Sequence, residues 1–64
     1  MIVVTYQNEI LGAGVFWEGH EDRLDDIRNI PARNLARLVA QDGCTRQAGM
    51  WTVERVDGRE GEGG

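Results

Sequence analysis

Cys44 and His20, each the only residue of its kind in this 64-residue chain, are where nucleophilic or metal chemistry would have to begin. Cys44 lies in Gly43-Cys44-Thr45-Arg46, and a nearby guanidinium lowers a thiol pKa. A cysteine nucleophile also needs a base and a group to orient that base. His20 is the sole histidine, at no spacing that known Cys/His pairs use, so Cys44 is read as structural or incidental. His20 itself sits in Glu18-Gly19-His20-Glu21-Asp22, a mixture of oxygen and imidazole donors. Calcium loops place carboxylates at alternating positions around a sharp glycine turn, and this segment lacks that spacing. The expectation is therefore a helix start rich in acids beside a solvated histidine, with no catalytic residue, no metal ligand set, no cofactor signature and no enzymatic activity. One cysteine also excludes an internal disulfide, and one cysteine with one histidine cannot form a structural zinc site.

Charge carries the next level of information. The net charge is −4, which argues against direct nucleic-acid binding because phosphate neutralisation needs a basic surface. The distribution is uneven. Glu18, Glu21, Asp22, Asp25 and Asp26 crowd one stretch against Arg23, whereas Arg28, Arg33, Arg37 and Arg46 follow with Asp42 as their only acid up to Val53. The acidic stretch, with Phe16 just before it, is the candidate protein-binding surface. The four arginines are the alternative nucleic-acid contact, and Asn34 to Val53 has the outline of a helix-turn-helix. Its second helix would be interrupted by Gly49 and the strand-like Met50 to Val56. Every basic residue is arginine, so lysine-dependent chemistry is absent from the chain.

The elements that must position these residues follow from periodicity. Ile2 to Gln7 and Ile10 to Trp17 are β-branched and aromatic runs on either side of Asn8-Glu9, which predicts a hairpin with a two-residue turn. That register pairs Tyr6 with Leu11, Val4 with Ala13 and Ile2 with Val15. One face then gathers Ile2, Val4, Tyr6, Leu11, Ala13, Val15 and Trp17 as the core side. The other carries Phe16 and a bare strip at Gly12 and Gly14, open to a partner. Glu21 to Asn29 predicts a short helix with acids in its first turn. Pro31 disfavours helical geometry in the residue before it, so a second helix is expected over Pro31 to Gln41, or else one helix kinked at Pro31. Leu35, Leu38 and Val39 form its apolar stripe beside Ala32, and Asp42-Gly43 stops it. Cys44 to Gly49 reads as a polar connection and Met50 to Val56 as the last strand. The expected fold is α+β: a small β-β-α(α)-β domain over residues 1–56, its three-stranded antiparallel-type sheet covered on one face by a helical layer. Residues 57–64 contain no apolar side chain and read as a disordered acidic, glycine-rich tail.

Gly63-Gly64 resembles the C-terminus of ubiquitin-like proteins and bacterial sulfur carriers, and a hairpin followed by a helix is how that fold begins. The resemblance implies a carrier activated at its terminal glycine. The stretch from Asp42 to Val56 is too short for the further strands that family places before its tail. In size, acidity and want of catalytic residues the chain is similar in kind to small phage and mobile-element inhibitors of host machinery, anti-CRISPR proteins among them. That likeness implies a protein partner; the acidic block suits a basic nucleic-acid-binding protein, and the lone unpaired cysteine suits the reducing cytoplasm. A subunit of a larger assembly fits the same residues. With no secretory signal and no apolar run near the roughly 20 residues a spanning helix needs, no membrane role is expected. A chain this short buries only about 60% of the surface its unfolded form exposes, and with disulfide and metal excluded, self-association or a partner is the remaining support.

Overall fold

The first hairpin turns where Asn8 can bond the backbone ahead of it. In the computed structural model, which describes residues 1–56, strand β1 (Ile2–Asn8) pairs antiparallel with strand β2 (Gly12–Gly19). Asn8 Oδ1 accepts the amide hydrogens of Ile10 at 2.7 Å and Leu11 at 3.0 Å, the local bonding that makes asparagine a turn former. Gly12, at φ 86°, takes the left-handed conformation that closes the loop. The loop is thus Glu9, Ile10 and Leu11, with Asn8 opposite Gly12, in place of the two-residue Asn8-Glu9 turn expected from sequence.

That longer loop changes every pairing. Near the tip Gln7 faces Ala13, Tyr6 faces Gly14 and Thr5 faces Val15. Continued unbroken, this register would set Glu18 opposite Ile2, on the face where Ile2 is buried. A β-bulge at Phe16 prevents it: Val4 pairs with Trp17, Val3 with Glu18 and Ile2 with Gly19, so Trp17 turns to the core side and Glu18 away from it. The expected core face is right for Ile2, Val4, Tyr6 and Trp17 and wrong for Leu11, Ala13 and Val15. Leu11 is 70% exposed, Val15 57% exposed, and Ala13 is also in solvent. The bare glycine strip is likewise corrected. Gly14 lies on the same side as Tyr6, whose hydroxyl would be 3.0 Å from any Cβ placed there. Phe16, the extra residue of the bulge, packs its ring edge-on against Trp51 at a centroid distance of 4.7 Å.

Two short 3-10 turns joined by a kink at Arg23 (φ −112°, ψ 21°), together spanning Glu21–Asp26, follow in place of the expected α-helix to Asn29. Leu24 is their buried anchor, and Ile27 just beyond it is fully buried with the backbone extended. Helix α1 (Ile30–Asp42) then starts afresh: Asn29 caps it by accepting the Ala32 amide at 3.0 Å, and Pro31 occupies the first turn, where no amide hydrogen is missed. The broken arrangement is the one adopted. α1 buries Ala32, Ala36 and Val39, with Leu35 half-buried, while Leu38, expected in the stripe, is 45% exposed. Two alanines four apart let the helix lie close on the sheet, and the side chain of Leu38 falls outside that narrow seam.

A fourth strand completes the sheet. Strand β3 (Arg46–Ala48), expected to be a loop, pairs antiparallel with strand β4 (Trp51–Arg55). Ala48 faces Trp51 across Gly49-Met50, with Gly49 at φ 60° and no positive φ at Met50, the pattern of a type II′ turn. β4 also pairs antiparallel with β1, giving the order β2-β1-β4-β3. Two hairpins therefore meet along their β1 and β4 strands. Met1 and Val56 exchange backbone hydrogen bonds at 2.9 and 2.7 Å, holding the two ends of the described chain together. The helical layer covers one face, where Ile2, Val4 and Val53 from the sheet meet Leu24, Ile27, Ala32, Ala36 and Val39, with Trp17 and Trp51 against their margin. The other face is uncovered. The segment 57–64 and its terminal glycines lie outside the described residues.

Because Ile27 is fully buried and Leu11 is not, Ile27→Ala should cost about 2–5 kcal/mol in denaturant unfolding and Leu11→Ala less than about 0.5 kcal/mol. Equal losses would contradict the observed register.

Candidate functional site

The acidic stretch is built on two buried side chains. Leu24 and Ile27 point into the core, so the carboxylates around them point out, on a backbone fixed by Arg23 N–H to His20 O at 2.8 Å and Ile27 N–H to Leu24 O at 3.0 Å. His20 caps the 3-10 helix, its Nδ1 accepting the Asp22 amide at 3.1 Å. The histidine read as solvated thus has a structural task as well.

The carboxylates differ in how far they are already satisfied. Asp25 accepts from Arg37 at 3.0 Å, joining the 3-10 helix to α1. Glu21, the least exposed of them, lies 3.5 Å from Arg55 on β4. Arg55 also donates to the Ala40 carbonyl of α1 at 3.3 Å, so one guanidinium links strand, helix and 3-10 turn. Asp22, Asp26 and Glu18 are exposed, Asp22 with its Oδ2 3.3 Å from His20 Nδ1. Asp22 and Asp26 belong to the 3-10 segment, whereas Glu18 belongs to the uncovered face of the sheet through its pairing with Val3. Phe16 turns toward Trp51 and is not beside Glu18 on that face. The expected patch is therefore divided in two.

The four arginines proposed as a nucleic-acid contact are divided as well. Arg37 bonds Asp25 and Arg46 bonds Asp42. Arg28 and Arg33 share an open cleft of about 510 Å3 with Asp25, Asp26 and Ile27, so carboxylates stand where phosphates would have to enter. The Nε of Arg33 is buried without a hydrogen-bond partner. Thr45-Arg46-Gln47, the candidate opening of a recognition helix, leads into strand β3 instead.

Cys44 is exposed, its amide donating to Asp42 Oδ1 at 3.2 Å and its thiol to the Asp42 carbonyl at 3.7 Å. These contacts make a turn at the end of α1. Among the described residues, no three His, Cys, Asp or Glu side chains gather closely enough to hold a metal ion. No helix among them is long and apolar enough to cross a membrane.

Glu54, passed over in the sequence, joins Glu18 on the uncovered face. Val3 pairs with Glu18 on one side and with Glu54 on the other, which makes a cross-strand row of carboxylate, valine, carboxylate. Alternation within β4 could have placed Glu54 opposite the buried Val53, but only with the strand order would its distance from Glu18 follow. No protein-family model, curated protein or solved structure matches the chain.

The sharpest electrostatic effect is at Asp42. The Arg46 guanidinium, and after it the Cys44 amide, hold its carboxyl below the ordinary aspartate range. Arg46 is raised in turn, chiefly by the same hydrogen bond. A depressed carboxyl pKa contributes stability above the unfolded-state value, lost as pH falls through the folded value. NMR titration of the Asp42 carboxyl should give a midpoint below that of an unpaired aspartate, and Arg46→Ala should raise it; an unmoved midpoint would disprove the pairing.

Proposed function

We propose that this chain is a non-catalytic protein-binding module that docks on a basic, nucleic-acid-handling protein of the cytoplasm and obstructs it. One observation carries the reading: Asp22 and Asp26 are presented to solvent on a 3-10 turn whose other side is anchored by Leu24 and Ile27. Charges on a fixed backbone are ordered before a partner arrives, so little conformational entropy is lost when they are used. They also raise the rate of encounter with a positive surface. Asp25 and Glu21, bound within the chain to Arg37 and Arg55, add negative field at longer range and hold the turn in place.

The test is affinity capture from native cells by the full chain and by its Asp22→Arg/Asp26→Arg variant, with quantitative mass spectrometry. Both side chains are exposed, so circular dichroism should show an unchanged fold. Basic proteins enriched by the parent chain should fall roughly tenfold with the variant. Equal recovery of the same proteins would refute the proposal, and a gel shift of bare DNA or RNA at low salt would replace it with direct nucleic-acid binding.

A further inference from the structure

The sheet has one face that α1 and the 3-10 helix do not touch, and its composition is specific. Three cross-strand rows run over it. Glu18, Val3 and Glu54 form the row at one end. Val15, Thr5, Thr52 and Gln47 form the middle row, in which the Thr5 hydroxyl donates to the Thr52 carbonyl at 3.2 Å. Ala13 and Gln7 form the far row. Short side chains in the centre leave a shallow depression of about 340 Å3 bordered by Thr5, Gln7, Ala13, Val15 and Thr52. The strand arginines turn the other way, Arg46 to Asp42 and Arg55 to Ala40 and Glu21. The face therefore has two carboxylates, an apolar and hydroxyl centre, and no cation among the residues of these rows.

We infer that this face is the docking surface for a basic amphipathic helix of the partner, laid along β1 with cationic side chains between the Glu18 and Glu54 carboxylates. The dimensions agree. Glu18 and Glu54 flank β1 from adjacent strands, about 10 Å apart, close to the width of an α-helix with its side chains. A helix over Val3, Thr5 and Gln7 would set small apolar residues into the depression and have one glutamate on each flank. A second copy of this chain is a poorer occupant, since two such faces together would oppose four carboxylates, and the small-residue seam of α1, at Ala32, Ala36 and Val39, is already buried. Strand addition is poorer as well: the bulge at Phe16 interrupts the β2 edge, and the β3 edge is three residues long.

The inference rests on the reading of a basic protein partner and adds to the 3-10 turn a second contact surface, for a helix that a peptide can supply by itself, which separates their tests. The probe is a synthetic amphipathic helical peptide of about 18 residues, roughly 27 Å long, with alanine and leucine on one side and lysine flanks. Its control has each lysine replaced by glutamate. Amide chemical shifts of the full chain should move most at Val3, Thr5, Val15 and Thr52. Glu18→Lys/Glu54→Lys should weaken the peptide about tenfold, well beyond the effect of Asp22→Arg/Asp26→Arg. Several results would overturn the inference. Shifts centred on Asp22 and Asp26 with undiminished affinity for the Glu18/Glu54 variant would do so while leaving the protein-binding reading on the 3-10 turn. No shift at millimolar peptide, equal binding of the control, or concentration-dependent shifts of the same face without peptide, which would mark self-association, would each do so too.

Discussion

The β1–β4 pairing is the constraint on which the structure depends. It joins the first and last strands of the described chain, places Val4 opposite Val53 at the centre of the sheet, and gives the helical layer something to cover. Each hairpin alone would present a strip of apolar side chains too narrow to exclude water, since isolated two-stranded ribbons are marginal. Side by side they make a four-stranded surface on which Ile27, Ala32, Ala36 and Val39 can be buried. The covering layer is thin, and its small residues make that economical. Alanines in α1 allow close approach of backbones, and the larger volumes of Ile2, Ile27, Val39 and Val53 fill what remains.

One-sided coverage then assigns the charges. Groups on the covered side are engaged with one another: Asp25 with Arg37, Asp42 with Arg46, and Glu21 with an arginine that reaches the carbonyl end of α1. Exposed pairs of this kind contribute little stability each, typically below about 1 kcal/mol. Their effect here is geometric, because they tie the 3-10 turn and α1 to each other and to β4. Among the described residues, Asp22 and Asp26 on the turn and Glu18 and Glu54 on the open sheet have no arginine partner, and these carboxylates are exposed. An acidic block that is continuous in sequence is thus two surfaces in space.

Some of this was legible in advance. The β-branched run of β1, the break before Pro31, the stop at Gly43 and the strand containing Val53 all follow from local rules, and the α+β class with one helical layer follows from their order. The misses have two causes. A two-residue turn at Asn8-Glu9 would segregate apolar side chains perfectly, yet Asn8 bonds the amides of Ile10 and Leu11, and Gly12 supplies the left-handed residue for a longer loop. Leu11 and Val15 then face solvent, and the bulge at Phe16 recovers the register only where Glu18 would otherwise oppose Ile2. Strand β3 was hidden by its polar sequence, because an edge strand needs only a partner backbone and a turn, here Gly49.

Local chemistry in the chain determines that β1 is a strand, that helix α1 begins after Asn29, and that a single cysteine can form no internal disulfide. Those are matters of dihedral preference, capping and residue inventory, each settled within a few positions. Which face of β2 is buried, that Arg46 to Ala48 is a strand, and that Glu18 and Glu54 flank Val3 are decided only in three dimensions. They depend on the order β2-β1-β4-β3, and strand order reflects the burial of distant surfaces against one another, which no neighbouring residues encode.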